Sequence, residues 1–365
     1  MIARTSLYRK TAAGLAVVAL AATGCSTKNS TDTAGSTAGD DASAGTSTGP
    51  VELKDGSKVK LALIPGGAHP YFQPWKTTGE QDKTEFKLGD VTFNETGEWD
   101  QSKQNNVVNS LAAQGYNAFG IFGVSPTDIN STFQDLKSKG FAVGSLASCP
   151  AGDTNEADFC LSTDVEAAAY KATKATIDAI GGEGTIVHLT GNNVDSNTQR
   201  RIAGVKKAIG ETNGKVTELP VITDIDKDLQ TAQKAVADLL ASKGKEIKGI
   251  VTTAYNPAVA AADGVASSKL PIKVVAIDDD AKILSGIKSG GVAATVTQNP
   301  VGQAYVGGWV LALLGSKQCT MKTPGVIVDS GSFVVTKDNV DTYDAERQAK
   351  TKELQTEFAG QLSCQ

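Results

Sequence analysis

Two side chains in the last third of the sequence could recognise a ligand together. Asp278 follows the apolar run 274–277, and Gln298 follows a second apolar run, 292–297. A carboxylate only accepts hydrogen bonds, whereas an amide both donates and accepts. At neighbouring strand ends the pair suits a ligand rich in hydroxyls. The competing reading of Asp278 is a plain helix cap. Further candidates cluster at other loop–helix junctions. His69, Tyr71, Phe72 and Trp75 crowd the start of one helix, and Trp99 lies in a loop after the second strand. Rigid aromatics offer contact area at small entropic cost, and the C–H faces of a sugar ring stack on them. Trp75 fits core packing equally well. Residues 190–197 are dense in short polar side chains, Asn193 among them, and Tyr255-Asn256 could present a phenol and an amide.

Several chemistries lack their residues. Histidine occurs only as His69 and His188, and no paired C-x-x-C spacing exists, so no metal site is expected. His188 lies inside a strand pattern and reads as a packed residue. There is no G-x-S-x-G elbow, and Gly66-Gly67 lacks the full G-x-G-x-x-G spacing. No cofactor is expected.

The elements that position these residues alternate along the chain. Short apolar runs at 58–64, 91–93, 118–122, 141–146, 185–189, 216–222, 249–253, 274–277 and 292–297 read as strands, separated by amphipathic segments. Such alternation implies βαβ units with parallel sheets, whose ligands bind beyond the carboxyl ends of the strands. Residues 326–329 and 333–340 read as late strands, and 343–362 as a charged helix.

The run Val275-Ala-Ile-Asp278 followed by Ala293-Ala-Thr-Val-Thr-Gln298-Asn-Pro resembles the sugar-binding proteins of bacterial ABC importers, the ribose/galactose-binding type of periplasmic binding protein. Pro70-Tyr71-Phe72 resembles the family's Asn-Pro-aromatic-aromatic turn with His69 in place of Asn, and Pro126-Thr127-Asp128 resembles its Pro-Thr-Asp turn. The resemblance covers about residues 58–343. It implies an α/β fold of two Rossmann-like lobes (type I periplasmic-binding-protein fold) joined by three hinge crossings, with a sugar or polyol held between them. By this reading Asp278 and Gln298 bind the ligand, Gln298 at a crossing. Gln199 holds the place of a family arginine, with Arg200 one residue off. Ala147-Ser148 replaces an Asp-Arg pair that many relatives carry, and Ala254-Tyr255 replaces Asn-Asp. These departures leave the particular sugar open. The implied lobes are 57–163 with 299–328, and 164–298 with 329–342, followed by a helical extension at 343–365.

The N-terminus reads as a targeting segment. Arg4, Arg9 and Lys10 precede a small apolar stretch too short to span a bilayer, and Ala22-Thr23-Gly24-Cys25 resembles a lipoprotein signal-peptidase site. Cleavage after residue 24 would leave Cys25 lipidated, with a flexible tether over 25–56 rich in Ser, Thr, Ala, Gly and Asp. The full chain has 35 basic and 40 acidic residues; loss of the three basic residues of the segment takes the net charge from −5 to −8. A surface of that sign argues against nucleic acid as a partner. Four cysteines remain, which allow three pairings; Cys149–Cys160 and Cys319–Cys364 are favoured, since the first closes a local loop and the second ties the last helix to the body. The expected molecule is a monomeric, membrane-anchored binder on the outer face of the cell membrane that serves an ABC permease. The competing classes are a ligand sensor for a membrane signalling protein and, behind it, an exported carbohydrate-active enzyme.

Overall fold

The computed structural model describes residues 50–152 and 154–365. The expected signal segment 1–24, Cys25 and the tether as far as residue 49 lie outside them. From Val51 onward the expected tether packs on the body. Val51 and Leu53 lie against the first-lobe core, and Trp309 Nε1 donates to Val51 O at 3.0 Å. The tether boundary at 56 is corrected accordingly: two apolar side chains within reach of a core pack partly against it rather than staying in solvent.

The first lobe is laid down as β1 (Lys60–Ile64), α1 (Gln73–Glu85), β2 (Asp90–Phe93), α2 (Gln101–Ala113), β3 (Ala118–Ile121), α3 (Ile129–Ser138), β4 (Ala142–Leu146) and β5 (Phe159–Ser162). A short 3-10 turn, Pro70–Phe72, leads into α1. The chain then builds the second lobe. It comprises α4 (Val165–Ala179), β6 (Gly184–Leu189), α5 (Ser196–Gly210), β7 (Val216–Glu218), α6 (Leu229–Lys243), β8 (Gly249–Thr252), α7 (Tyr255–Ser268), β9 (Lys273–Ile277), α8 (Ala281–Ser289) and β10 (Ala294–Thr297). It returns through α9 (Pro300–Gly315), β11 (Cys319–Met321), β12 (Val326–Asp329), β13 (Phe333–Val335), α10 (Tyr343–Ala359) and β14 (Leu362–Cys364).

Two six-stranded sheets result, ordered β12-β5-β4-β3-β1-β2 and β13-β10-β9-β8-β6-β7. Every pairing within them is parallel except β10 with β13. The order reverses between β1 and β3 and again between β6 and β8, which places a switch-point crevice at the carboxyl edge of each sheet. The central strands are buried on both faces, as β3 and β4 show residue by residue, and this explains their unbroken apolar composition. Helix α9 is buried nearly all round, as a helix apolar on every face must be.

The chain passes between the sheets after β5, β10 and β12. One buried network ties the three crossings. Thr163 Oγ1 donates to Gln298 O at 3.1 Å and meets Ser330 Oγ at 2.9 Å, and Gln303 Nε2 donates to Ser330 Oγ at 2.9 Å. Asp164, at the first crossing, caps α4 by accepting from Glu166 N and Ala167 N.

Both favoured disulfides, Cys149–Cys160 and Cys319–Cys364, are formed. The second joins the paired strands β11 and β14. Helix α10 begins in the second lobe, where Tyr343 OH donates to Asp279 Oδ2. It ends in the first, where Phe358 packs on Phe159 with ring centroids 5.1 Å apart.

Candidate functional site

The carboxyl edges of the two sheets face each other across a cavity of about 550 Å³, within the ~300–1,000 Å³ range of small-molecule sites. Five of its lining residues, Glu98, Trp99, Ala147, Asp224 and Asp278, hold left-handed backbone conformations without being glycine. Such conformations cost about 1–3 kcal/mol each and gather where side chains must be aimed for function.

The floor is built on adjacent strands β9 and β10. Asp278 N donates to Val296 O at 2.9 Å, and Thr295 Oγ1 donates to Asp278 O at 2.7 Å. These bonds fix the turn at φ +66 that swings the Asp278 side chain across β10. Gln298 Nε2 then donates to Asp278 Oδ1 at 2.7 Å. Helix α8 is capped by Asp280, which accepts from Lys282 N, so the cap reading of Asp278 gives way to Asp280. Burial pushes the Asp278 carboxyl up to about 7; the Gln298 amide and Arg201 oppose this, and Asp279 and Asp226 add to it.

Arg201 completes the floor. Its Nη2 donates to Gln298 Oε1 at 3.3 Å, while its Nε is buried with no partner among the described residues. A buried, unsatisfied guanidinium donor beside a cavity is an open place for a ligand acceptor. Helix α5 is phased by its cap, Asp195, which accepts from Asn197 N. Asn197, Thr198 and Arg201 then share the face that continues into buried Val205 and Ala208.

The first lobe supplies the roof. His69 accepts from Tyr71 N through Nδ1 at 3.2 Å, which leaves its other nitrogen to carry the proton. That nitrogen lies 3.4 Å from Asp226 Oδ2 in the opposite lobe. Tyr71 OH donates to Gln303 Oε1 at 2.8 Å and so reaches the hinge network. Phe72, Phe122 and Trp99 form the apolar wall, with Phe72 and Phe122 centroids 5.1 Å apart. Trp99 is 45% exposed at the cleft. Tyr255 OH donates to Asp280 Oδ2 at 2.7 Å, which holds its ring at the cavity edge.

The structure thus brings His69, Tyr71, Phe72, Trp99, Tyr255, Asp278 and Gln298 to the cavity and moves five expected residues away from it. Trp75 is fully buried in the first-lobe core, because Trp75, Thr78, Gly79 and Asp82 form the inner face of α1. Gln199 turns back on Asn193, bonding its carbonyl and side chain. Asn193 itself donates its N–H to Asp224 Oδ1. Arg200 points to solvent and pairs with Asp164 at 3.0 Å. Asn256 lies behind the wall and positions Asp226, donating to its backbone and side chain. Sequence reasoning missed Arg201, Asp226 and Asn197. The phase of α5 set by Asp195 would have favoured Arg201 over Arg200, and the place of Asp226 just beyond the run 216–222 is the strand-end signal that could have found it.

His188 supports the site from behind, its Nε2 2.7 Å from the Oγ1 of cavity-lining Thr253. Burial, and secondarily Arg201, hold its imidazole down to about 3, so it is neutral. Among the described residues no cluster of three or more His, Cys, Asp or Glu side chains could hold a metal, and no described helix is long and apolar enough to cross a membrane.

Residues 62–318 match the family model described as "Periplasmic binding protein domain". The chain belongs to the periplasmic binding protein family. Solved structures share this binding-protein fold. One is a solute-binding protein from Burkholderia graminis in complex with D-arabinose, 22% identical with a TM-score of 0.71, covering 80% of this chain and 99% of that one. A second, from Actinobacillus succinogenes with bound D-allose, is 19% identical with a TM-score of 0.71 over 78% of this chain and 100% of that one. A third, from Agrobacterium vitis with bound D-fucose, is 22% identical with a TM-score of 0.70 over 79% of this chain and 99% of that one. No curated protein matches the sequence. The family match ends before Cys319, so β11 to β14, including α10, lie beyond it.

Proposed function

We propose that this periplasmic binding protein captures a neutral sugar or sugar-like polyol between its lobes and delivers it to an ABC permease, without turning it over. The observation that carries the reading is the cavity floor. A buried carboxylate, an amide and an unsatisfied guanidinium converge there beneath an aromatic wall. Hydroxyls can donate to Asp278 and accept from Arg201, while a ring face meets Trp99 or Phe72. Five carboxylates, Glu98, Asp195, Asp224, Asp226 and Asp278, line the cavity against Arg201 and Lys227, which disfavours an anionic sugar. The sugars in the solved neighbours, D-arabinose, D-allose and D-fucose, are neutral and support this class.

A ligand touching both lobes gains contacts in the closed state that the open state lacks, and so shifts the population toward closed. A permease can then read loading as shape. We place the protein outside the cytoplasm as a monomer, anchored to the membrane through lipidated Cys25. A ligand-sensing subunit of a membrane signalling protein would use the same cleft and is the second reading.

The test is a thermal-shift screen of neutral monosaccharides, alditols and sugar acids. At a hundredfold excess over Kd a true ligand stabilises by about 2.7 kcal/mol. A neutral sugar or polyol should raise the melting temperature and be recovered unchanged. Shifts confined to sugar acids, or chemical conversion of the bound compound, would overturn the reading.

A further inference from the structure

After β4 the chain turns through Ala147, Ser148 and Cys149, where the family resemblance implies an Asp-Arg pair. Ala147 lines the cavity with φ +63. A β-carbon crowds the neighbouring backbone in that region, so the conformation persists only where the surroundings over-determine it. Three constraints do so here. Ala147 N donates to Leu161 O at 2.8 Å. Ser145 Oγ donates to Ser148 O at 2.6 Å. Cys149, next in the chain, is covalently bonded to Cys160 in β5, the strand that runs to the first crossing at Thr163.

The turn held in this way places Ser148 Oγ to accept from Asn197 Nδ2 of the opposite lobe at 3.2 Å, with both residues buried. Asn197 lies one helical turn before Arg201 on the same face of α5. The turn after β4 therefore makes a direct contact between the lobes.

We propose that Ser148 and Asn197 form a closure latch that favours the closed arrangement before any ligand arrives, and that the Cys149–Cys160 disulfide is its positioning element. The latch acts through protein groups alone. It rests on the reading above only in taking the cavity as the ligand cleft, and its test uses no ligand.

The test compares the apo protein, as the full folded chain, with four variants: Ser148→Ala, Asn197→Ala, the pair Cys149→Ala/Cys160→Ala, and as control the pair Cys319→Ala/Cys364→Ala. The first readout is the closed-to-open ratio from small-angle X-ray scattering. The second is acrylamide quenching of Trp99, the one exposed tryptophan beside buried Trp75 and Trp309. Loss of one net hydrogen bond should lower the closed-to-open ratio about two- to tenfold. Ser148→Ala, Asn197→Ala and the Cys149/Cys160 pair should all show this, with stronger Trp99 quenching, while the control pair should match wild type. An unchanged ratio in Ser148→Ala would overturn the latch. A Cys149/Cys160 variant that changes only its melting temperature would overturn the positioning role and leave that bond a plain structural staple. Should that variant fail to fold, Ser148→Ala and Asn197→Ala decide by the same readouts, since they keep both disulfides.

Discussion

The Gln298 amide joins Asp278 to Arg201: Nε2 donates to Asp278 Oδ1 at 2.7 Å and Oε1 accepts from Arg201 Nη2 at 3.3 Å. A buried carboxyl group and a half-buried guanidinium are thus separated by one neutral group that bonds to both. This leaves each with unmet capacity facing the cavity, which is the state a binding site needs before its ligand arrives.

Asp278 should weaken the apo protein while strengthening the complex. Burial raises its carboxyl to about 7, from ~3.9 in the unfolded chain. A raised folded-state value means stability that is complete below the unfolded value and lost as pH rises toward 7. Asp278→Asn should therefore be more stable than wild type at neutral pH, by up to about 4 kcal/mol, with the gap closing near pH 4. The same substitution should weaken ligand binding by about 1.5–3 kcal/mol. Urea denaturation across pH and calorimetry of binding check the two halves.

Arg201 and Arg200 are neighbours with opposite expected phenotypes. Arg201→Ala removes the buried donor and should weaken binding by about 1.5–3 kcal/mol. Arg200→Ala breaks only the half-exposed pair with Asp164, worth about 0.2–1 kcal/mol of stability, and should leave affinity intact. Equal losses of affinity would mean that α5 is phased differently in solution.

What was legible in the sequence divides along this line. The strand ends carrying Asp278 and Gln298 follow from local pattern, since run length and turn residues are local properties, whereas the crossing at Thr163 came from the family resemblance and the cysteine spacing alone left three pairings open. The pairing of His69 with a second-lobe partner does not follow from local pattern. Asp226 reaches that imidazole only because the two lobes face each other, and no local signal encodes such a distance. Strand β5 escaped for another reason. Its four residues include the crosslinked Cys160 and follow a polar loop, so the run is too short to stand out by composition. Trp75 went to the core because α1 turns its face toward α9, and aromatic content alone does not give helix phase.

Phe72 and Trp99 should separate stability from recognition. Phe72 is 3% exposed and packs on Trp75 at 4.9 Å between centroids, so Phe72→Ala should cost about 3–5 kcal/mol of stability. Trp99 is partly exposed, and Trp99→Ala should change stability little while weakening cyclic ligands by roughly 0.5–1.5 kcal/mol plus lost burial. Linear alditols lack a rigid face and should lose less. The comparison is the affinity of Trp99→Ala for one cyclic and one linear ligand of the wild type. Equal losses would mean the ring does not stack.

The Cys319–Cys364 bond pins the end of the chain beyond Phe358, whose ring fills the first-lobe core. Replacing both cysteines by alanine should lower stability by about 3–4 kcal/mol. Proteolysis should then begin within β14, as mass spectrometry of limited digests would show.

Asp82 offers a test of the fold far from the cleft. Its side chain is buried on the inner face of α1, and neither carboxylate oxygen has a partner among the described residues. Helix α9 leaves room for it only through Gly308, where a β-carbon would stand 2.2 Å from Asp82 Oδ2. Burial, with Glu85 adding to it, raises this carboxyl well above the ordinary range, so the folded protein holds it neutral. The sign is that of Asp278. Its stability contribution is complete below the unfolded value of ~3.9 and falls as pH rises above it. Asp82→Asn keeps the shape and cannot ionise, so its stability relative to wild type should rise steadily from pH 4 upward. Gly308→Ala should be destabilising at every pH, because the conflict there is steric. Denaturation midpoints for both variants between pH 4 and 8 check this. A parallel pH course for wild type and Asp82→Asn would mean that Asp82 is solvated in the folded state and that the α1–α9 contact is looser than the packing at Gly308 requires.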